Sequence, residues 1–212
     1  VLILGATASF GQGTLEVEGK ATLEVSPDVA YVNIGVETEA DTSIEAQKDN
    51  KIKMNKVIKK LSELEISEDQ IKTSNYSLYQ RTRYIKDKEN EVYYQVRNIL
   101  KVTIHDLDKV GKVVDTGGNI VHSVKFGLKD DSKYYNEALQ LAMKDAHKKA
   151  QMIASIFGVE LDKPKEVKEL SNSSTGVLRQ PQVNMSKAES TSTPIQSGDT
   201  TVEAKLKVIY GY

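Results

Sequence analysis

Hydrophobic and polar positions alternate from residue 15 onward. Leu15, Val17, Ala21, Leu23 and Val25 interleave with Glu16, Glu18, Lys20, Thr22 and Glu24. A period of two marks a strand with one wet face. Gly19 takes the one missing apolar position and is read as a bulge. Ser26, Pro27 and Asp28 turn the chain. A second alternation runs through Ala30, Val32, Ile34 and Val36.

The period then lengthens. Asp41, Thr42 and Ser43 supply N-cap chemistry for a helix of roughly 22 residues. Ala46, Asn50, Met54, Val57, Leu61 and Leu64 fall on one face, and Lys51, Lys53, Lys56, Lys59 and Lys60 crowd the other side. Asn50 is the polar member of the apolar face. A buried amide needs a partner, so it is expected to bond to backbone in a neighbouring loop. Residues 71–84 predict a strand, and Lys86 to Glu91 a charged turn. The return strand carries Val92, Tyr94, Val96, Leu100, Val102 and Ile104 on one face, which makes a long antiparallel hairpin. His105 and Asp106 begin a short helix that ends at Gly117, Gly118 and Asn119; Ile120, His122, Val124, Phe126 and Leu128 alternate as the next strand.

Asp130, Asp131 and Ser132 cap a second long helix, and Gly158 ends it. Along it Ala138, Ala142, Ala146, Ala150 and Ala154 stand four residues apart. That spacing slightly exceeds one turn, so the methyl groups form a slowly winding ridge that lets the helix lie close to its support. Projected on a wheel, Tyr135, Leu139, Ile153, Ile156 and Phe157 join the alanines on one broad face, which is expected to lie on the sheet. Tyr134, Leu141 and Met152 fall on a flank, as surface hydrophobes or a contact strip. A short strand follows near residues 166–170. Residues 171–199, rich in Ser, Thr, Gln, Asn and Pro, read as a long loop. Val202, Ala204, Leu206, Val208 and Tyr210 close the chain with one more strand. The elements predict an α+β fold: a mostly antiparallel sheet with two long amphipathic helices packed on one face.

Composition narrows the function classes. A chain of 212 residues can bury a sizeable core as one domain. The net charge of −1 argues against bulk nucleic-acid binding. The absence of cysteine rules out disulfides, thiolate metal sites and cysteine nucleophiles. The opening VLILGATASFGQ has apolar residues followed by Ala6, Thr7 and Ala8, a small-x-small pattern. Residues 1–12 are therefore read as the remnant of a signal peptide. No apolar run reaches the roughly 20 residues of a membrane span.

Little in the chain spells out chemistry. His105, His122 and His147 match no metal-ligand spacing. No phosphate loop and no nucleophile elbow occur. No catalytic, cofactor-binding or metal residue is assigned. A hydrolase built on carboxylates alone stays open, with no motif behind it. The hairpin interleaves Tyr and Arg at Tyr76, Tyr79, Arg81, Arg83, Tyr84, Tyr93, Tyr94 and Arg97. These are ordinary strand residues, but Tyr and Arg are also enriched at protein interfaces. Stacking of single-stranded bases ranks well below both readings.

The order and spacing of several segments resemble the SIMPL-domain family, bacterial exported proteins that include the periplasmic immunogenic proteins. The segments are VEGKATLEVSPDVAYVNIGVET, the helix with Ala46, Asn50 and Met54, IKTSNYSLYQRTRY, YYQVRNILKVTIHDLDKVGKVVD, EALQLAMKDAHKKAQMIASIFGV and PIQSGDTTVEAKLKVIYGY. Pro27, Asp28, Asn50, Gly111, Gly158, Pro194 and Gly198 fall at recurring positions of the family, read as turn, cap and packing positions. The resemblance implies one α+β domain over residues 13–212, export to the periplasm or envelope, homo-oligomerisation and no catalytic residues to carry over. The leading expectation is a non-enzymatic, self-associating envelope protein. Its interface would draw on Tyr79, Arg81, Arg83, Tyr84, Tyr93, Tyr134, Leu141 and Met152. The alternatives are a glycan- or peptide-binding module that uses the hairpin, and a hydrolase without a recognisable motif.

Overall fold

The computed structural model describes residues 13–84, 90–170 and 192–212. Seven strands and three helices are resolved among them: β1 (Thr14–Val25), β2 (Val29–Ala40), α1 (Ser43–Glu63), β3 (Ile71–Arg83), β4 (Glu91–Ile104), α2 (Val110–Val114), β5 (Ile120–Gly127), α3 (Asp131–Phe157), β6 (Pro164–Glu169) and β7 (Thr200–Gly211). The α+β class and antiparallel pairing are as the sequence predicts. The single sheet roofed by both helices is not. The strands divide into a sheet ordered β1-β7-β6 and a sheet ordered β3-β4-β2-β5, and each has its own long helix. Residues 1–12, most of the charged turn and residues 171–191 of the polar stretch lie outside the described residues.

One compact unit consists of β1, α3, β6 and β7. The first and last strands of the fold pair antiparallel, with Val17 opposite Val208 and Leu23 opposite Val202. Val202, Ala204, Leu206, Val208 and Tyr210 are buried along β7, and the five ridge alanines are buried along α3. Gly19 lies where β1 meets that ridge. A Cβ built on it would sit 2.0 Å from the Ala142 carbonyl oxygen and 2.8 Å from the Ala146 Cβ. The ladder runs straight through Gly19, opposite Leu206, so the glycine is a point of close approach and not the expected bulge. The same proximity lets α3 satisfy strand backbone. The Lys20 N–H donates to Asp145 Oδ2 at 2.9 Å, and Lys149 Nζ donates to the Glu18 carbonyl at 3.1 Å. The Lys149 ammonium, with the Lys20 N–H, holds the Asp145 carboxyl below its ordinary range. The opposite face of the sheet carries exposed ion pairs, Lys20–Glu203–Lys205 and Lys207–Glu16, which solvent screens.

The alanine ridge also corrects the wheel projection. Ile156 and Phe157, expected on the sheet side, are 74% and 76% exposed. Four-residue steps advance about 40° each, so the ridge has wound by about 160° between Ala138 and Ala154. An averaged wheel aligns Ile156 with Ala138, but by that point the contact side has turned away from it. Gly158 then stops the helix in the left-handed conformation at φ 66°.

The other compact unit holds β2 to β5, α1, α2 and the described residues 192–199. Thr42 caps α1: its hydroxyl oxygen accepts from the Glu45 N–H at 3.2 Å and donates to the Glu45 carboxylate at 2.8 Å. Ala30, Val32, Ile34 and Val36 of β2 pack against Met54, Val57 and Leu61 of α1 and against Leu100, Val102 and Ile104 of β4. Asn50 is fully buried among them. Its amide donates to the Val36 carbonyl at 2.9 Å and the Val96 carbonyl at 3.4 Å. The partner is therefore strand backbone and not the loop the sequence reading expected, because helix α1 lies directly over the β2–β4 ladder. Asn119 continues the ladder of β2 past the start of β5: its side chain accepts from the Glu37 N–H at 2.7 Å and donates to the Glu37 carbonyl at 2.8 Å. The end of the polar stretch is anchored here. Asp115 accepts from the Thr193 N–H at 2.8 Å and its hydroxyl at 2.5 Å, and Ile195 packs on the core.

Candidate functional site

The β3–β4 hairpin lies at one end of its sheet, and β3 is the edge strand. Alternation puts Tyr79, Arg81 and Arg83 on one face of β3, with Tyr93 opposite Arg81 and Gln95 opposite Tyr79. Those positions generate a continuous lattice. The Arg81 guanidinium lies 5.0 Å from the Tyr79 ring centroid, and the Arg83 guanidinium 4.7 Å from that of Tyr93. Arg83 is also paired with Glu39 at 3.1 Å and Glu91 at 3.3 Å. Gln95 ties the two ends together by accepting from Arg81 Nε at 3.4 Å and donating to Glu39 at 3.2 Å. Arg97 pairs with Glu37 at 2.8 Å on the neighbouring strand. Tyr79 stays 50% exposed and Tyr84, just past the strand, 81% exposed. The arginines are thus held in place, with Tyr79 open to solvent and Tyr93 half-buried. Pre-ordering of this kind lowers the side-chain entropy lost when a surface is covered.

Four of the eight predicted interface residues, Tyr79, Arg81, Arg83 and Tyr93, join in this lattice, and Tyr84 follows directly in the chain. Tyr134, Leu141 and Met152 belong to α3, in the other compact unit. Tyr134 is half-buried, with the Lys133 ammonium 5.4 Å from its ring; Leu141 and Met152 are exposed. Sequence reasoning missed Glu39 and Gln95, whose roles depend on which strand lies beside which. It also missed Tyr76 and Leu78 as an exposed pair on the opposite face of β3.

Groups able to do chemistry are sparse. Among the described residues no cluster of three or more His, Cys, Asp or Glu side chains is placed to hold a metal. His147 reaches the buried Tyr210: its Nδ1 lies 3.3 Å from the phenol oxygen, in a cleft of about 620 Å³ that also presents Gln151, Glu160, Asp162 and Lys163. Burial pushes the Tyr210 phenol up. Among the described residues the carboxyls with shifted affinities are Glu65, Asp115, Asp145 and Glu203, and all four move down, each held by a hydrogen-bond donor from Lys or Thr. A general acid needs the reverse shift. Among the described residues no helix is long and apolar enough to cross a membrane.

Comparison with known proteins gives a coherent picture. The chain is 27% identical over 211 residues to the 26 kDa periplasmic immunogenic protein of Brucella melitensis, covering 92% of this chain and 83% of that one. It is 25% identical over 194 residues to the uncharacterized protein YggE of Escherichia coli K12, covering 89% and 76%. The sequence profile of the SIMPL family, described as a protein of unknown function (DUF541), matches residues 15–210. With nearly the whole described fold inside that match, the chain belongs to the SIMPL family.

Proposed function

We propose that this protein is a non-enzymatic component of the bacterial envelope that self-associates through the solvent face of its β3–β4 hairpin. The observation that carries the reading is the lattice of Tyr79, Arg81, Arg83 and Tyr93. It presents the residue types that dominate binding energy at protein interfaces, already ordered and largely solvent-facing. The periplasmic name of the Brucella relative supports location in the envelope. Closed symmetry is the default for such an assembly.

The test is the mass of the purified chain by light scattering at micromolar concentration. A multiple of the chain mass is expected. Tyr79→Ala combined with Arg83→Ala is expected to weaken association by at least about 30-fold, from a loss of roughly 2 kcal/mol or more at an interface hot spot. Circular dichroism should be unchanged, because both side chains lie outside the core. A wild-type chain that stays monomeric at that concentration refutes the proposal.

A further inference from the structure

Helix α1 rests on β2 and β4 and leaves the side of β3 that faces the same way uncovered. Tyr76 and Leu78 lie on that side, in register with Asn98 and Val96, and are 53% and 40% exposed. Between Tyr76 and the helix runs a trough of about 410 Å³. Its apolar surface comes from Met54, Ile58 and Tyr76, and its polar groups include the amides of Gln47, Asn55 and Asn98. Among the described residues, two features of the trough have no partner. The buried Asn98 Oδ1 accepts no hydrogen bond. Lys51 is the one charged side chain in the lining, and among the described residues it makes no ion pair. The outer backbone edge of β3 is also free among the described residues. After a bulge near Ser74 the strand pairs with β4 without interruption from Asn75 to Arg83, and it contains no proline to blunt the edge.

A free edge strand beside a helix-walled trough can take an extended peptide as an added strand: backbone bonds supply the affinity, and alternate side chains supply the specificity. We infer that β3 and the trough bind an extended acidic peptide from another protein. It would extend the β3-β4-β2-β5 sheet as a fifth strand. Every second side chain then projects over Tyr76 and Leu78 towards α1, and apolar residues suit that surface. The lone cation there selects a carboxylate. The edge continues on both sides of Tyr76, so the peptide passes Lys51 with a Glu or Asp side chain and does not end there. This surface is the face of β3 opposite the Tyr79–Arg81 lattice, so the inference does not rest on self-association.

The probe is the blocked, fluorescein-labelled heptapeptide acetyl-TVTETVT-amide, which puts Val, Glu and Val on one face. Titration of the 212-residue chain by anisotropy is expected to give a Kd of roughly 10⁻⁴ M, and hydrogen exchange should slow along β3. Glu to Gln in the peptide, or Lys51→Glu in the protein, should each weaken binding about tenfold, and proline at the central position should abolish it. Lys51 is exposed, so its variant keeps the fold; Tyr76→Ala provides a second variant and should weaken binding as well. No binding up to millimolar peptide, binding indifferent to Lys51→Glu, or slowed exchange elsewhere than β3 and α1 would each overturn the assignment. Peptide binding that breaks an assembly into single chains would also overturn it, because the edge would then belong to another copy.

Discussion

Replacing Gly19 with alanine sets two physical rules against each other. Glycine in a strand interior is unfavourable, and a Gly→Ala change at an unstrained position ordinarily stabilises by about 0.4–1 kcal/mol through the unfolded chain. Packing demands the opposite here. The new methyl would lie 2.0 Å from the Ala142 carbonyl oxygen, an atom of helix backbone that cannot rotate aside. Either β1 or α3 must retreat, and overpacking of this kind costs about 1–3 kcal/mol. Retreat also stretches the bond from the Lys20 N–H to the Asp145 carboxylate, a charged bond worth roughly 1.5–3 kcal/mol. With the unfolded-chain gain subtracted, the expected net loss is about 2–5 kcal/mol, which corresponds to a melting temperature lower by at least about 4 °C. Gly127→Ala is the matched control. A Cβ there meets only the Tyr31 ring at 3.7 Å and Val29 at 3.9 Å, so the change should be neutral or stabilising. Adding Ala146→Gly to Gly19→Ala should not rescue it, because the nearest clash is with backbone. Thermal melts followed by circular dichroism decide the matter. If Gly19→Ala melts at or above the wild-type temperature, the close helix–strand approach is refuted.

Two further perturbations probe the other unit. Asn50→Asp would set a buried carboxylate against the Val36 and Val96 carbonyls, with no donor between them. It should cost more than about 3 kcal/mol near neutral pH and exceed Asn50→Ala in urea denaturation. The gap should narrow at acidic pH, where the carboxyl is protonated and can donate; an equal gap at every pH would show that the amide is not aimed at those carbonyls. Asp115 titrates with the opposite sign. The Thr193 hydroxyl and N–H favour its ionised form and hold its carboxyl below the ordinary value of 3.8. The stabilisation is present above that value and fades as pH falls through the lower folded value. Asp115→Asn should therefore flatten the acid limb of the stability profile, and Thr193 amide exchange in the wild type should quicken over the same window. Unchanged Thr193 protection on acidification would refute the linkage.

The hairpin shows where sequence reading stops. The Tyr and Arg content of the hairpin was legible, but the reading grouped residues of both strand faces; the ladder separates Tyr79, Arg81 and Arg83 from Tyr76. The role of Gln95 and Glu39 in ordering the Tyr79 face was not legible, because it depends on β2 lying beside β4. The openness of Tyr76 and Leu78 was likewise hidden. Tyr76 was grouped with the Tyr and Arg of the hairpin and Leu78 with no face, and only the placement of α1 over β2 and β4 shows that the two share an uncovered side.

Local periodicity, capping and turn chemistry determined the type and order of the elements, because each depends on residues within a turn or two of one another. Thr42 as a cap, Gly158 as a stop and the alanine row as a contact ridge were all readable in this way. Tertiary structure decided the partners. It joined β1 to β7 across nearly the whole chain, split the strands between two sheets, and turned Ile156 and Phe157 outward as the ridge wound away beneath them. Those outcomes depend on which distant backbone satisfies which hydrogen bond and on how closely a helix can approach, and neither is written in the spacing of residues along one segment.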